Sequence, residues 1–145
     1  MRFSSALWGA AVLCLTGCAS GQIGTLPTVT PGTEVTVHVF RQSNVMGMLN
    51  TFRIAYDKKN LFDIGNGTYG TFQVPAGPHD IAVKCFGGML PVVQTEDIQQ
   101  VFIPGQEYYF AVEPDIVTCA SIQLYPKEEG EGMMAGLTQI PLGNH

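Results

Sequence analysis

Residues Glu34–Arg41 read Glu-Val-Thr-Val-His-Val-Phe-Arg, and the class of fold follows from this stretch. Val35, Val37 and Val39 stand at every second position, and a period of two places alternate side chains on opposite faces of a β-strand. β-Branched residues such as valine also favour strands. The sequence therefore predicts a half-buried strand whose valines face a core.

Short runs of the same kind recur along the chain, and each run is bounded by Gly, Pro, Asn or Asp. They cover residues 52–56, 61–64, 68–74, 79–86, 98–103, 107–112 and 117–125. Seven or eight short strands without a helical pattern predict an all-β fold, an antiparallel two-sheet sandwich of immunoglobulin-like or transthyretin-like type over residues 34–126. An up-and-down barrel is the alternative. Gly65-Asn66-Gly67 predicts a tight hairpin turn, because Gly and Asn adopt positive φ.

The N-terminal end has the pattern of an export signal. Arg2 precedes an apolar run over residues 6–15, which is too short to span a bilayer as a helix, and Leu15-Thr16-Gly17-Cys18 closes this run. The segment resembles the signal of bacterial lipoproteins. That resemblance implies cleavage before Cys18, which would then carry a diacylglyceryl thioether and an N-acyl chain. The alternative is an ordinary secretory signal in which Cys18 is incidental.

The resemblance divides the chain into a cleaved signal peptide (1–17), a lipidated N-terminus with a flexible linker (18–33), the sandwich (34–126) and a C-terminal tail (127–145). Residues 19–33 are small and polar and contain prolines, which is typical of a linker. For the tail, a short helical turn and disorder both fit the sequence. Ala19 follows the cysteine where Asp would retain a lipoprotein in the inner membrane, so the resemblance implies the outer membrane, facing the periplasm.

The charge balance excludes some classes of partner. The chain has formal net charge −5 with 7 Lys+Arg against 12 Asp+Glu, and removal of residues 1–17 takes away Arg2. A mildly acidic surface without a basic cluster argues against nucleic acid and against a polybasic lipid-binding face. The expected partners are membrane lipid, through acylated Cys18, and an unidentified envelope protein.

Two cysteines remain for the folded domain. Cys14 lies in the discarded signal and Cys18 is consumed by lipid, which leaves Cys85 and Cys119. A pair of cysteines in an oxidising compartment predicts one disulfide, which would stabilise the fold by about 3–4 kcal/mol in the chain-entropy model. The alternative is two free, buried thiols.

Several turn and strand motifs carry a second resemblance. They are residues 35–41, Ile64-Gly65-Asn66-Gly67-Thr68-Tyr69, Val74-Pro75-Ala76-Gly77-Pro78-His79-Asp80-Ile81 and Pro104-Gly105-Gln106-Glu107-Tyr108-Tyr109-Phe110. Together they resemble an uncharacterised family of bacterial lipoproteins, and the Pro-Ala-Gly-Pro-His turn is similar to that of the PEGA domain. Such modules are small β-sandwiches without known catalytic activity, so the resemblance implies a fold more than a function.

Residues that could perform chemistry are few. Arg41 ends a strand on the valine face, where it would clamp an anionic ligand or form a structural contact with a carboxylate or with carbonyls. His38 and His79 would begin a metal site only if their strands were neighbours, and His79 and Asp80 are expected to point to opposite faces. No serine elbow, phosphate loop or carboxylate pair is present. We therefore expect no enzyme activity, no cofactor and no metal.

Apolar residues in loops are the stronger signal. One hypothesis is that Phe40, Phe86, Tyr109 and the loop of residues 45–49, which contains Met46 and Met48, face outward as a contact surface. The alternative is that the second sheet or the loop itself buries them. The chain is thus predicted to be a lipid-anchored, non-enzymatic protein- or envelope-binding module. A periplasmic enzyme inhibitor, a ligand-binding lipoprotein and a component of a secretion or envelope assembly are the alternatives.

Overall fold

The structure, a computed structural model, describes residues 20–45, 48–85 and 94–143. These residues form ten strands and one helix. In chain order they are β1 (Gly21–Gln22), β2 (Glu34–Arg41), β3 (Phe52–Tyr56), β4 (Lys59–Ile64), β5 (Thr68–Pro75), β6 (Gly77–Cys85), β7 (Gln94–Phe102), β8 (Glu107–Asp115), β9 (Cys119–Tyr125), α1 (Lys127–Met134) and β10 (Thr138–Gln139).

The strands form two sheets of five strands each. Sheet A has the order β1-β4-β3-β6-β7, and sheet B has the order β10-β5-β2-β8-β9. Neighbouring strands are antiparallel except for β2 with β8 and β10 with β5, which are parallel. The predicted all-β two-sheet sandwich is confirmed. Strands β2 to β9 correspond to the predicted runs, and β1 and β10 are two-residue additions at the sheet edges.

The core lies between the sheets and follows from the alternation in the sequence. Val35, Val37 and Val39 of β2 are fully buried and belong to one cluster with side chains of the facing sheet. Phe62 of sheet A packs edge-on against Phe72 of sheet B, with ring centroids 5.9 Å apart. Because β2 is the central strand of sheet B, its last residue is held in a fixed place at one end of the sandwich.

The outer face of sheet B is covered by the C-terminal segment. Phe40 and Tyr109 are buried in a second cluster, together with apolar residues of residues 133–137. The hypothesis that these two aromatic side chains face outward is therefore wrong, because α1 packs over them. Gly130 permits this contact, since any side chain there would overlap the Tyr109 ring. Within the described ranges, no helix has the length and apolar character that crossing a bilayer requires.

The first described residues belong to the fold and are not a free linker. Strand β1 pairs with β4, and the N–H groups of Ile23 and Gly24 donate to the carbonyl of Leu61 at 2.9 and 3.0 Å. The side chain of Gln22 donates to the carbonyl of Gly143 and accepts from its N–H, both at 2.8 Å. The predicted linker over 18–33 thus does not hold for residues 21–24, because the exposed edge of β4 offers backbone partners.

Two further predictions concern the turn at residues 65–67 and the two cysteines of the domain. Gly65-Asn66-Gly67 does not close a hairpin, because β4 lies in sheet A and β5 in sheet B, so this turn connects the two sheets. Cys85 and Cys119 are joined as a disulfide with their Cα atoms 6.3 Å apart. This pair links β6 of sheet A to β9 of sheet B across the sandwich.

Candidate interaction surface

One end of the sandwich carries a group of exposed apolar side chains. Strands β2 and β8 run toward this end and are followed by the loops of residues 42–51 and 116–118. The exposed fractions are 86% for Val45, 53% for Met48, 91% for Leu49, 87% for Ile116 and 79% for Val117. We call these five residues the apolar tip. Large apolar side chains with such exposure on neighbouring loops are typical of a contact surface.

Arg41 holds the first loop of the apolar tip in place. Its side chain is fully buried, its guanidinium donates to the carbonyl of Asn50, and its Cζ lies 4.5 Å from the centroid of the Phe52 ring. Burial lowers the pKa of Arg41. These contacts connect the end of β2 to the start of β3. A guanidinium enclosed in this way cannot clamp a ligand from solvent, so Arg41 is a positioning residue for the loop.

The first loop is also tied to the turn between the sheets. The N–H of Asn44 donates to the side-chain oxygen of Asn66 at 2.9 Å. Gly67 has φ of 69°, and a side chain there would overlap the hydroxyl of Ser43. The apolar tip is therefore carried by a loop with fixed ends.

The second loop of the apolar tip is shaped by Asp115. Its carboxylate accepts the N–H groups of Val117 and Thr118, each at 2.7 Å, and these bonds hold the pKa of Asp115 below its usual range. The turn satisfies its own backbone donors in this way. As a result, Ile116 and Val117 extend into solvent beyond the end of the sheet.

Charge is distributed unevenly between the two ends of the sandwich. Residues 42–51 contain no charged side chain, and neither do residues 64–72 or 116–121. The ion pair behind the apolar tip is that of Arg53 and Asp63, whose two hydrogen bonds measure 2.7 and 3.0 Å. At the opposite end, the turn between β3 and β4 carries Asp57-Lys58-Lys59. The two loops of the apolar tip thus carry no charged side chain, and Asp115 at the end of β8 is the charged residue beside them.

A cleft of about 350 Å³ lies toward the charged end. His79 contacts Asp57 there, with Nδ1 and Oδ2 2.7 Å apart, and the second oxygen of Asp57 accepts the N–H of Asp80 at 3.0 Å. The partner of His79 is therefore Asp57 and not its sequence neighbour. The residues lining the cleft, in the part of the chain described, include no Ser, Thr or Cys that could act as a nucleophile.

Sequence reasoning missed the contact between His79 and Asp57. The feature that brings them together is the antiparallel pairing of β3 with β6, in which Tyr56 pairs with Ile81. That register brings the turn after Tyr56 beside the residues that precede Ile81. Asp57 has a positive φ of 45° in this turn.

His38 lies in the other sheet and has a different environment. Its Nδ1 is 2.8 Å from the hydroxyl of Thr71, and its ring stacks on that of Tyr109 with centroids 4.5 Å apart. Desolvation by burial is the main cause that lowers the pKa of His38. Since His38 and His79 stand on different sheets, they do not begin a common metal site. Among residues 20–45, 48–85 and 94–143, no three potential metal ligands form a group.

The remaining predicted site residues divide between the described and the undescribed parts of the chain. Met48 is half-exposed in the apolar tip, whereas Cys18 and Met46 lie outside the described residues, as does Phe86.

Comparisons with models of known protein families, with curated proteins and with solved structures found no match to this chain.

Proposed function

We propose that this protein is a lipid-anchored, non-enzymatic binding module of the bacterial cell envelope, attached to the outer membrane through acyl chains on Cys18 and facing the periplasm. The supporting sequence is the apolar run that ends in Leu15-Thr16-Gly17-Cys18. Several acyl chains on one residue would make the attachment effectively permanent.

The position of β1 relates the proposed anchor to the apolar tip. Gly21 pairs with Asp63 near the end of β4, so β1 begins at the end of the sandwich that carries the apolar tip. Cys18 is three residues away, a distance of about 10 Å at full extension. An anchor at Cys18 would therefore hold the apolar tip within reach of the membrane surface.

Attachment gives such a module its function by restricting where it can bind. A domain confined to a thin layer has a raised effective concentration for partners in that layer. The apolar tip supplies a contact surface of the kind that adapts to a partner, since Met48 has an unbranched side chain with several rotatable bonds and the other four side chains are largely exposed.

Two cysteine variants of the full chain test the anchor. Cys18→Ser should abolish labelling by a palmitate analogue and leave the protein unprocessed or released from membranes, whereas Cys14→Ser should be labelled and processed as the wild type is. The mature wild-type protein should begin at Cys18 by mass spectrometry. Unchanged acyl labelling of the Cys18→Ser variant would contradict the proposal.

A further inference from the structure

We infer that the apolar tip inserts into the lipid bilayer beside the anchor, so that the domain contacts its own membrane end-on. This inference rests on the proposed anchor. It adds that the partner of the apolar tip is the bilayer, at the boundary between its headgroups and acyl chains, and not another protein.

The direction of the tether brings one end of the domain to the membrane. Strand β1 runs away from the apolar tip as it enters the fold, and the reciprocal bonds between Gln22 and Gly143 hold it in place. Gly24 packs so closely on the carbonyl of Asn60 that a side chain there would overlap it. Only residues 19 and 20 then separate Cys18 from the ordered strand. With so short a connection, the end of the domain nearest to Gly21 must face the bilayer.

The side chains at that end suit contact with lipid. Leu49, Ile116 and Val117 are more than three-quarters exposed, on two loops that carry no charged side chain beyond Asp115. Aliphatic side chains are transferred favourably from water into the bilayer interface, whereas charged ones are not. Asp115 is engaged by two backbone N–H groups, and Arg41 is buried. Because Asp115 is exposed at the base of the second loop, its carboxylate must stay hydrated at the level of the headgroups while Ile116 and Val117 enter the interface.

The charge of the domain determines which lipids the apolar tip requires. The acidic balance of the chain and the absence of cations from the two loops leave no electrostatic attraction to anionic headgroups. Contact must come from apolar burial, so it should occur on zwitterionic bilayers and should not depend on salt. A tip that bound anionic headgroups through cations would instead require anionic lipid and would bind less at high salt.

Tryptophan reporters test the inference in the full-length, processed protein. The only tryptophan of the chain is Trp8, which precedes the expected cleavage site, so a new tryptophan reports alone. Leu49→Trp and Val117→Trp place the reporter in each loop of the apolar tip. Ile103→Trp is the matched control, because Ile103 is an exposed apolar residue in the turn between β7 and β8 at the opposite end.

The proteins are reconstituted into phosphatidylcholine vesicles whose acyl chains are brominated either near the headgroup or near the chain end. Both tip reporters should shift to shorter emission wavelength and lose emission to the shallow bromines more than to the deep ones, at low and at high salt. The Ile103→Trp reporter should show the same emission wavelength and intensity with brominated vesicles as with unbrominated ones.

The outcomes separate the inference from the anchor. Vesicle flotation of the protein with water-like, unquenched tip reporters would overturn the inference and leave the anchor standing. A blue shift without bromine quenching would also overturn it, since another protein copy and not lipid would then cover the tip. Failure of the processed protein to float would overturn the anchor and the inference together, because no membrane would be held beside the tip.

Discussion

The guanidinium of Arg41 stacks on the ring of Phe52, with Cζ 4.5 Å from the ring centroid, and this contact joins the last residue of β2 to the first residue of β3. The two strands lie in different sheets. Arg41 also donates to the carbonyl of Asn50, so both ends of the loop of residues 42–51 are fixed by one buried side chain. The position of the apolar tip therefore depends on a residue that the tip does not expose.

Replacing Arg41 should destabilise the fold strongly. Arg41→Ala removes a charged hydrogen bond and a buried stacking contact, and we expect a loss of about 2–4 kcal/mol in the free energy of unfolding, measured by urea denaturation. Arg53→Ala is the control, since the pair of Arg53 with Asp63 is partly exposed and its loss should cost about 1 kcal/mol or less. Equal losses in the two variants would show that Arg41 does not hold the loop.

The disulfide between Cys85 and Cys119 should supply a large part of the stability. Its cysteines are 34 residues apart, and closing a loop of this size is worth about 4 kcal/mol in the chain-entropy model. The double variant Cys85→Ala/Cys119→Ala should lose that amount in urea denaturation without reductant. Adding reductant should destabilise the wild type to the same degree and leave the double variant unchanged. Thiols that can be alkylated in the native protein would contradict this prediction.

Two glycines of α1 provide a matched test of how the helix covers sheet B. A side chain at Gly130 would overlap the Tyr109 ring, whereas nothing lies within 4 Å of the corresponding position at Gly132. Gly130→Ala should therefore cost about 1–3 kcal/mol through overpacking. Gly132→Ala should stabilise by up to about 1 kcal/mol, because alanine favours the helix. Thermal unfolding measures both, and destabilisation by Gly132→Ala would show that the helix packs differently.

Burial of His38 should make the stability depend on pH. Because the folded state lowers the pKa of His38, the unfolded chain binds a proton below about pH 6.5 that the folded chain does not yet bind. Stability should then fall as the pH drops from 7 toward 5. Glu107 and Glu131 face the ring and oppose this shift, and Lys127 reinforces it, but desolvation is the largest cause.

The measurement is the free energy of unfolding as a function of pH for two histidine variants. His38→Gln should flatten the decline between pH 7 and 5, since no imidazole remains under α1. His79→Gln is the control and should leave the contribution of His38 in place. If the decline persists in the His38→Gln variant, another group causes it.

Patterns of neighbouring residues predicted the strands of the core and most of the turns between them. The valines at every second position of β2 indicated which face of the strand lies in the core. Gly, Pro and Asp marked the turns between the long strands. The pairing of Cys85 with Cys119 needed only the count of cysteines left after the signal. The exposure of residues 45 and 48–49 followed from a loop that has no strand or helix pattern.

The remaining features depend on contacts between distant segments. Helix α1 has the sequence Lys-Glu-Glu-Gly-Glu-Gly-Met-Met, whose two glycines disfavour a helix, and it forms because Gly130 fits against Tyr109. Strand β1 arises in a segment of linker composition because the edge of β4 is free to pair. Neither partner could be found from neighbouring residues, so the coverage of Phe40 and the pairing of residues 21–24 with β4 could not be predicted.

The last prediction concerns the short tether at Gln22. Gln22→Ala removes the side chain that donates to the carbonyls of Gly24 and Gly143 at 2.9 and 2.8 Å and accepts from the N–H of Gly143. We expect a loss of about 1–2 kcal/mol and faster hydrogen exchange at the amides of Ile23 and Gly143, because β1 then frays from β4.

A frayed β1 lengthens the connection between Cys18 and the sandwich, so the apolar tip is held less closely to the membrane. In the Leu49→Trp background, Gln22→Ala should therefore reduce quenching by shallow bromines while flotation with vesicles is unchanged. Gln73→Ala, at an exposed position of β5, serves as the control and should alter neither reading. Unchanged quenching with faster exchange would mean that the tip finds the bilayer without help from the tether, so that apolar burial alone orients the domain.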